Sequence, residues 1–169
     1  MLRNFEGALQ MESSKSNNLL LRIVRDIADY QFGKGVGEKI FPDDCKVEIS
    51  KRTRRPKYVY LGDKLLATIR YPDNLLALTL EGGRRLRDVL GERAPIIVVK
   101  EKAIQKLKQG MNLTARDIIR CTRKIRPGEE VLVEDEHGNL LAIGKASIAS
   151  RTMLELKRGV VIKVRKARK

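Results

Sequence analysis

Turn residues cut this chain at short intervals, and from Lys46 onward the apolar residues between them alternate instead of recurring at three and four. That pattern restricts the chain to short, half-buried strands. Lys46 to Ser50 alternates in this way. Tyr58 to Leu61 and Leu65 to Arg70 flank Gly62-Asp63, a hairpin signal. Leu75 to Leu80 adds a strand, Gly83 to Leu90 a short helix with a basic face, and Gly91 to Pro95 punctuates the chain. Beyond it, Ile96 to Val99 reads as a buried strand. Glu101 to Gln109 reads as a helix with Ala103, Ile104 and Leu107 inward and Lys102 and Lys106 on another face. Gly110 stops that helix as a C-cap. Strands follow over Asp117 to Cys121, Glu130 to Val133 and Leu140 to Gly144, the last extending towards Ser147. Turns separate them at Arg126-Pro127-Gly128 and Glu136-His137-Gly138-Asn139. Lys157-Arg158-Gly159 turns into a final strand, Val160 to Val164. Short strands with one early helix predict a small barrel, not a sandwich. No repeat occurs at a solenoid period.

Before Lys46 the period is helical. Residues 1–17 are polar and rich in Ser and Asn, and read as a mobile arm. A helix capped by Asn17 or Asn18 follows, with Leu20, Ile23, Val24 and Ile27 on its buried face, and it stops at Gly33. Gly33-Lys34-Gly35-Val36-Gly37 reads as a flexible connector. Its glycines follow a helix instead of a strand, which rules out a dinucleotide fingerprint. The expected organisation is α+β. An arm (1–17) leads into a small mixed domain (18–93), and a barrel domain (94–169) follows.

The chain has 169 residues, of which 36 are Lys or Arg and 21 Asp or Glu, a net charge of +15. With 42% hydrophobic residues it still supports a core. Aromatics at 4% argue against a binding face built mainly from stacked rings. Cys45, Cys121 and the single His137 are too few and too scattered for a four-ligand zinc site or a disulfide framework, and fit a reducing, cytoplasmic compartment. No apolar run approaches a membrane span, and the N-terminus lacks the apolar core of a signal peptide. From Ala94 onward there are 18 basic and 8 acidic residues (+10), against 18 and 13 before it (+5). A pI near 10.1 implies an anionic partner, in the first place a nucleic acid.

The residues become specific at Ile96 to Gln109, Gly110 with Met111-Asn112-Leu113, Arg126-Pro127-Gly128-Glu129-Glu130-Val131, Leu141-Ala142-Ile143-Gly144-Lys145-Ala146 and Lys157-Arg158-Gly159-Val160. Through them, Ala94 to Arg165 resembles a PUA domain, a small RNA-binding barrel. Upstream, Ile27 to Gly35, Tyr58 to Leu61, Ala67 to Arg70 and Leu78 to Gly82 resemble the domain that precedes PUA in archaeosine tRNA-guanine transglycosylase. The resemblance covers about residues 18–166. That family carries a catalytic barrel and a cysteine-rich zinc site upstream, and this sequence has neither. The resemblance therefore implies tRNA binding, at the acceptor stem and its 3′ CCA end, without catalysis, metal or cofactor. A separate tRNA-modifying chain would do the chemistry. The alternative is a translation or ribosome-associated RNA-binding factor.

RNA docking is implied across the helix, the glycine loop and the last strand. The candidate residues are Lys102, Lys106, Gly110, Asn112, Arg116, Arg120, Lys157, Arg158, Lys163 and Arg165. Singly, each cation is also a plain solvated charge; Gly110 is also a C-cap, and Asn112 a turn residue bonding its own backbone. From Lys157 to Lys169 there are seven basic residues and no acidic one. A second patch, Lys51, Arg52, Arg54, Arg55 and Lys57, reads as an exposed loop, with Pro56 denying helix and a polyanion relieving its self-repulsion. His137 reads as a turn residue. Asp43-Asp44 and Glu134-Asp135-Glu136 read as solvated turns instead of acid–base machinery.

Overall fold

A computed structural model describes the backbone of residues 2–168 and the side chains of 14–168. The chain forms two compact units, divided between Ala77 and Leu78.

In the first unit, helix α1 (Leu2–Phe32) leads through Gly33–Gly35 into a short helix, α2 (Val36–Ile40). Strands β1 (Cys45–Ile49), β2 (Pro56–Leu61), β3 (Lys64–Ile69) and β4 (Leu76–Leu78), whose last residue Leu78 belongs to the second unit, then form a sheet in sequence order. β1–β2 and β2–β3 are antiparallel hairpins. Two expectations change here. The helix begins at Leu2, not at Asn17 or Asn18, so the expected arm is helical backbone. Asn17 does not cap it: its amide donates to the Cys45 carbonyl at 3.0 Å and accepts from Val47 N–H at 2.9 Å, tying α1 to β1. The buried face of α1 is Leu21, Val24 and Ala28, whereas Ile23 is exposed and Leu20 and Ile27 are half-buried.

The glycine connector is clamped. The Asp29 carboxylate accepts from Gly35 N–H at 2.8 Å and Gly37 N–H at 2.6 Å, and these bonds hold its pKa below the ordinary value. Val36 and Gly37 are buried, and a Cβ on Gly37 would stand 2.7 Å from the Arg25 Cα. Only glycine permits this approach of α2 to α1.

In the second unit, α3 (Leu80–Leu90) is capped by the Thr79 hydroxyl, which accepts from Gly82 N–H. Then come β5 (Ile96–Val99), α4 (Glu101–Lys108), β6 (Leu113–Thr114), β7 (Ile118–Cys121), β8 (Glu130–Glu134), β9 (Leu140–Ala146), α5 (Ser150–Glu155) and β10 (Val160–Ala167). The sheet order is β6-β10-β9-β8-β5-β7. Its two end strands, β6 and β7, are one stretch of chain bent at the 3-10 turn Ala115–Asp117. The sheet therefore nearly closes on itself. Inside lie Ile97, Val99, Val131, Val133, Ala142, Val161 and Ile162, with Ala103 and Leu107 of α4 plugging an end.

Strand β8 is buried on both faces. Its inward residues are valines, and on the other face Leu132 lies against the backbone of α3 at Gly83. The flanking Glu130 and Glu134 are buried there too. Glu134 is thus no solvated turn residue: it accepts from Arg87 Nε at 2.7 Å. Burial raises its pKa despite that guanidinium. His137 and Asp135 do form a turn, with Asp135 accepting from the backbone of His137 and Asn139.

Substituting Gly37→Ala forces a methyl against the α1 backbone. Urea denaturation of the whole chain should show a loss of roughly 1–3 kcal/mol, the usual scale for overpacking. An unchanged midpoint would mean the connector yields as freely as its composition suggests.

Candidate nucleic-acid interface

The bend that joins β6 to β7 is fixed by one buried carboxylate. Asp117 accepts from Lys106 Nζ at 2.8 Å and 2.9 Å, from Thr114 N–H at 2.8 Å and from the Thr114 hydroxyl at 2.7 Å. Its burial alone would raise its pKa. The Lys106 ammonium and the Thr114 donors outweigh that and hold the carboxyl below the ordinary 3.8. Lys106 is therefore committed inward, with 34% of its side chain exposed, and anchors α4 to the bend.

After Lys108, α4 ends in a Schellman motif. Gly110 N–H bonds to the Leu107 carbonyl and Met111 N–H to the Lys106 carbonyl, with Gly110 at φ +71°. Beyond its chain neighbours, no atom of the described residues lies within 4 Å of where a Gly110 Cβ would be, so the backbone is open to approach. Asn112 bonds neither its own turn nor solvent alone. Its Oδ1 accepts from Val164 N–H at 3.0 Å, pinning the glycine loop to β10. Its amide N–H groups make no hydrogen bond among the described residues.

Arg116, on the 3-10 turn, is exposed and donates from Nε to the Lys157 carbonyl at 3.0 Å, while Ala115 N–H bonds to the Gly159 carbonyl. The β6 pairing puts Thr114 opposite Val160 and Leu113 opposite Ile162. Glycine loop, bend, the turn before β10 and β10 itself thus form one continuous strip. Its exposed cations are Arg116, Lys157, Arg158 and Lys163, with Lys102 and Lys108 exposed on α4. Arg120 is exposed on β7 opposite Val98, and among the described residues no hydrogen bond or ion pair joins it to the strip.

Arg165 departs from expectation. Strict alternation puts it beside Lys163 on the exposed face. Instead, Val164 pairs with Gly144 and Lys166 with Ile143, leaving Arg165 as the extra residue of a β-bulge. Its guanidinium turns to the buried Glu130 carboxylate in an ion pair, with 27% of the side chain exposed. Glu130 also accepts from Leu78 N–H at 3.1 Å. Sequence reasoning missed the apolar part of the strip: Met111, Leu156 and Val160 are exposed among its cations.

In the first unit, Lys51, Arg52, Arg54, Arg55 and Lys57 are all exposed at the turn between β1 and β2 and the start of β2. Ser50 N–H bonds to the Arg55 carbonyl and Arg54 N–H to the Ser50 carbonyl, closing that turn. Among the described residues no cluster of His, Cys, Asp or Glu has the makings of a metal site. No described helix is long and apolar enough to cross a membrane.

Residues 22–92 match the patch-forming domain C2 of tRNA-guanine transglycosylase, and residues 95–167 match the PUA domain. The chain joins a patch-forming C2 domain to a PUA domain. The tRNA-guanine(15) transglycosylase of Methanothermobacter thermautotrophicus is 39% identical over 143 residues, 85% of this chain and 22% of that protein. That of Pyrococcus furiosus is 37% identical over 161 residues, 95% of this chain and 27% of that protein. The chain spans about a quarter of the length of these relatives, and no catalytic barrel is evident in it. A hypothetical protein of Pyrococcus horikoshii has the same fold, with a TM-score of 0.69, 23% identity and coverage of 88% of this chain and 89% of that one. A conserved PUA domain protein of Thermoplasma acidophilum gives a TM-score of 0.62 at 19% identity, with coverage of 92% and 90%. In the PUA domain of this chain, the strip lies on α4, the bend and β10.

Removing the carboxylate at the bend with Asp117→Ala should cost on the order of 3 kcal/mol, because it leaves an ammonium and the Thr114 donors without their acceptor. The pH dependence has a defined sign. A folded pKa below the unfolded value adds stability above about pH 3.9 and loses it as pH falls through the folded value. Urea midpoints against pH should therefore fall less steeply on acidification in Asp117→Asn than in the wild-type chain. Parallel curves would remove Asp117 from the acid response.

Proposed function

We propose that this chain binds RNA, that the RNA is tRNA, and that the strip on the PUA domain takes the acceptor stem and its 3′ CCA end. On this reading it is a non-catalytic accessory in tRNA modification in the cytoplasm, presenting tRNA to a modifying enzyme on a separate chain. The observation that carries the reading is the strip itself. Arg116, Lys157, Arg158 and Lys163 are exposed along one continuous surface, next to a glycine loop whose backbone is open. The acid at the bend, Asp117, is buried and already neutralised by Lys106. Along the bend and β10 such a surface neutralises phosphates without presenting a competing carboxylate. The relatives' own names add support, since they are tRNA-guanine(15) transglycosylases that match over this region. The exposed Met111 and Val160 suit contact with ribose and unstacked bases, as at a single-stranded end.

Lys163 and Arg116 are assigned to phosphate. Arg165 is withdrawn from that set, because its charge is used on Glu130. Asn112, with its carbonyl held by β10, is left with amide donors for a base edge or a 2′-hydroxyl.

Titration of tRNA at several salt concentrations separates these roles. Each neutralised phosphate contributes roughly 0.7 to 0.9 to the log–log salt slope. Arg116→Ala and Lys163→Ala should each weaken binding and flatten the slope by about one contact. Arg165→Ala should leave the slope unchanged and lower the urea midpoint. Asn112→Ala should reduce the preference for tRNA with an intact CCA end at nearly constant slope. Equal wild-type affinity for tRNA with and without CCA would overturn end recognition, and a slope insensitive to Arg116 and Lys163 would overturn the strip.

A further inference from the structure

The four-stranded sheet of the first unit has two connections at one end, since β1-β2-β3-β4 run in sequence order with antiparallel hairpins. One is the basic turn between β1 and β2. The other is Arg70–Leu75, closed by Arg70 N–H to the Leu75 carbonyl. Between them lies a groove of about 600 Å³. That is within the usual range for a small-molecule site, roughly 300–1,000 Å³.

Its walls combine three kinds of group. Arg52, Arg55 and Lys57 bring positive charge, and Pro56 and Ile69 bring apolar surface. Tyr71 brings an aromatic ring and is 79% exposed. The Arg55 guanidinium lies 5.7 Å from the centroid of that ring, so cation and ring already share one surface. A fourth cation, Arg70, is tied to Asp73 at 2.9 Å, yet its Nε is buried and makes no hydrogen bond among the described residues.

We propose that this groove is a binding site for one nucleotide extruded from an RNA, with its base stacked on Tyr71 and its phosphate held by the arginines and Lys57. The inference rests on the RNA reading above but concerns a different surface. Charge alone would suit any polyanion. The exposed ring and the apolar wall add a preference for a flat, unstacked base beside the phosphate. A base within a duplex has both faces covered by its neighbours, so it must be flipped out or single-stranded to reach Tyr71.

The test uses the full chain and two RNA hairpins that carry 2-aminopurine, one with the fluorophore as a single-nucleotide bulge and one with it paired in the stem. The bulged hairpin should bind about tenfold more tightly, and its fluorescence should fall on binding as the base stacks. Tyr71→Leu should abolish both the preference and the quenching, and Tyr71→Phe should keep them. Arg116→Ala, on the PUA domain, should weaken both hairpins equally and leave their ratio unchanged. Equal binding of the two hairpins by the wild-type chain, or a preference that survives Tyr71→Leu, overturns the groove and leaves RNA binding standing. Equal displacement of both hairpins and full reversal of the quenching by a polyglutamate peptide would reassign the groove to acidic protein. Failure to bind either hairpin would overturn this inference and the RNA reading together.

Discussion

The buried carboxylate of Asp117 is the contact on which the second unit depends. It receives an ammonium from α4 and two donors from Thr114, and so fixes the bend that lets one stretch of chain supply both end strands of the sheet. A two-edged sheet this small would leave backbone donors and acceptors unpaired on both sides. Folding β6 and β7 from a single bent segment nearly removes the problem. It also sets Arg116 beside the turn that feeds β10, and Gly110 beside the strand that Asn112 grips. The geometry of the strip is thus a consequence of barrel closure.

Three buried carboxylates sort the cations of this unit. Asp117 takes Lys106, Glu130 takes Arg165, and Glu134 takes Arg87. Each acid would be costly to bury alone, and each cation is drawn out of the exposed population to offset that cost. What remains on the surface along the bend and β10 is uniformly basic. Charge composition counts all these residues alike, whereas the fold divides them into structural partners and available charges.

That division explains what was legible in the sequence. Turn residues and alternation gave the strands nearly in place: Ile96–Val99 is found as read, and most of the others shift by a residue or two. The mixed α+β fold and the PUA resemblance followed from the same residues. Alternation failed at Arg165, where a bulge inserts one residue and reverses the side chain, an event that carries no mark in Lys163-Val164-Arg165-Lys166. The reading of Glu134 as a solvated turn residue failed because burial of that acid depends on a helix and an arginine distant in sequence. The three-four pattern of Leu20, Ile23, Val24 and Ile27 was partly right, with Val24 buried, Leu20 and Ile27 half-buried and Ile23 exposed; Asn17, bonding to β1, fixes the rotation of α1. The glycine connector read as flexible because the Asp29 carboxylate that clamps it lies on the preceding helix. Tyr71 was overlooked because a lone aromatic beside a proline has no periodicity to signal its exposure.

The central claim is that this chain meets RNA along the glycine loop, the bend and β10. Amide hydrogen exchange on the full chain, with and without saturating tRNA, tests it most directly. The account predicts that the slowing of exchange concentrates in residues 108–116 and 157–164. Slowing confined to β7 and β8, or no change anywhere at a tRNA concentration that saturates binding, would contradict it.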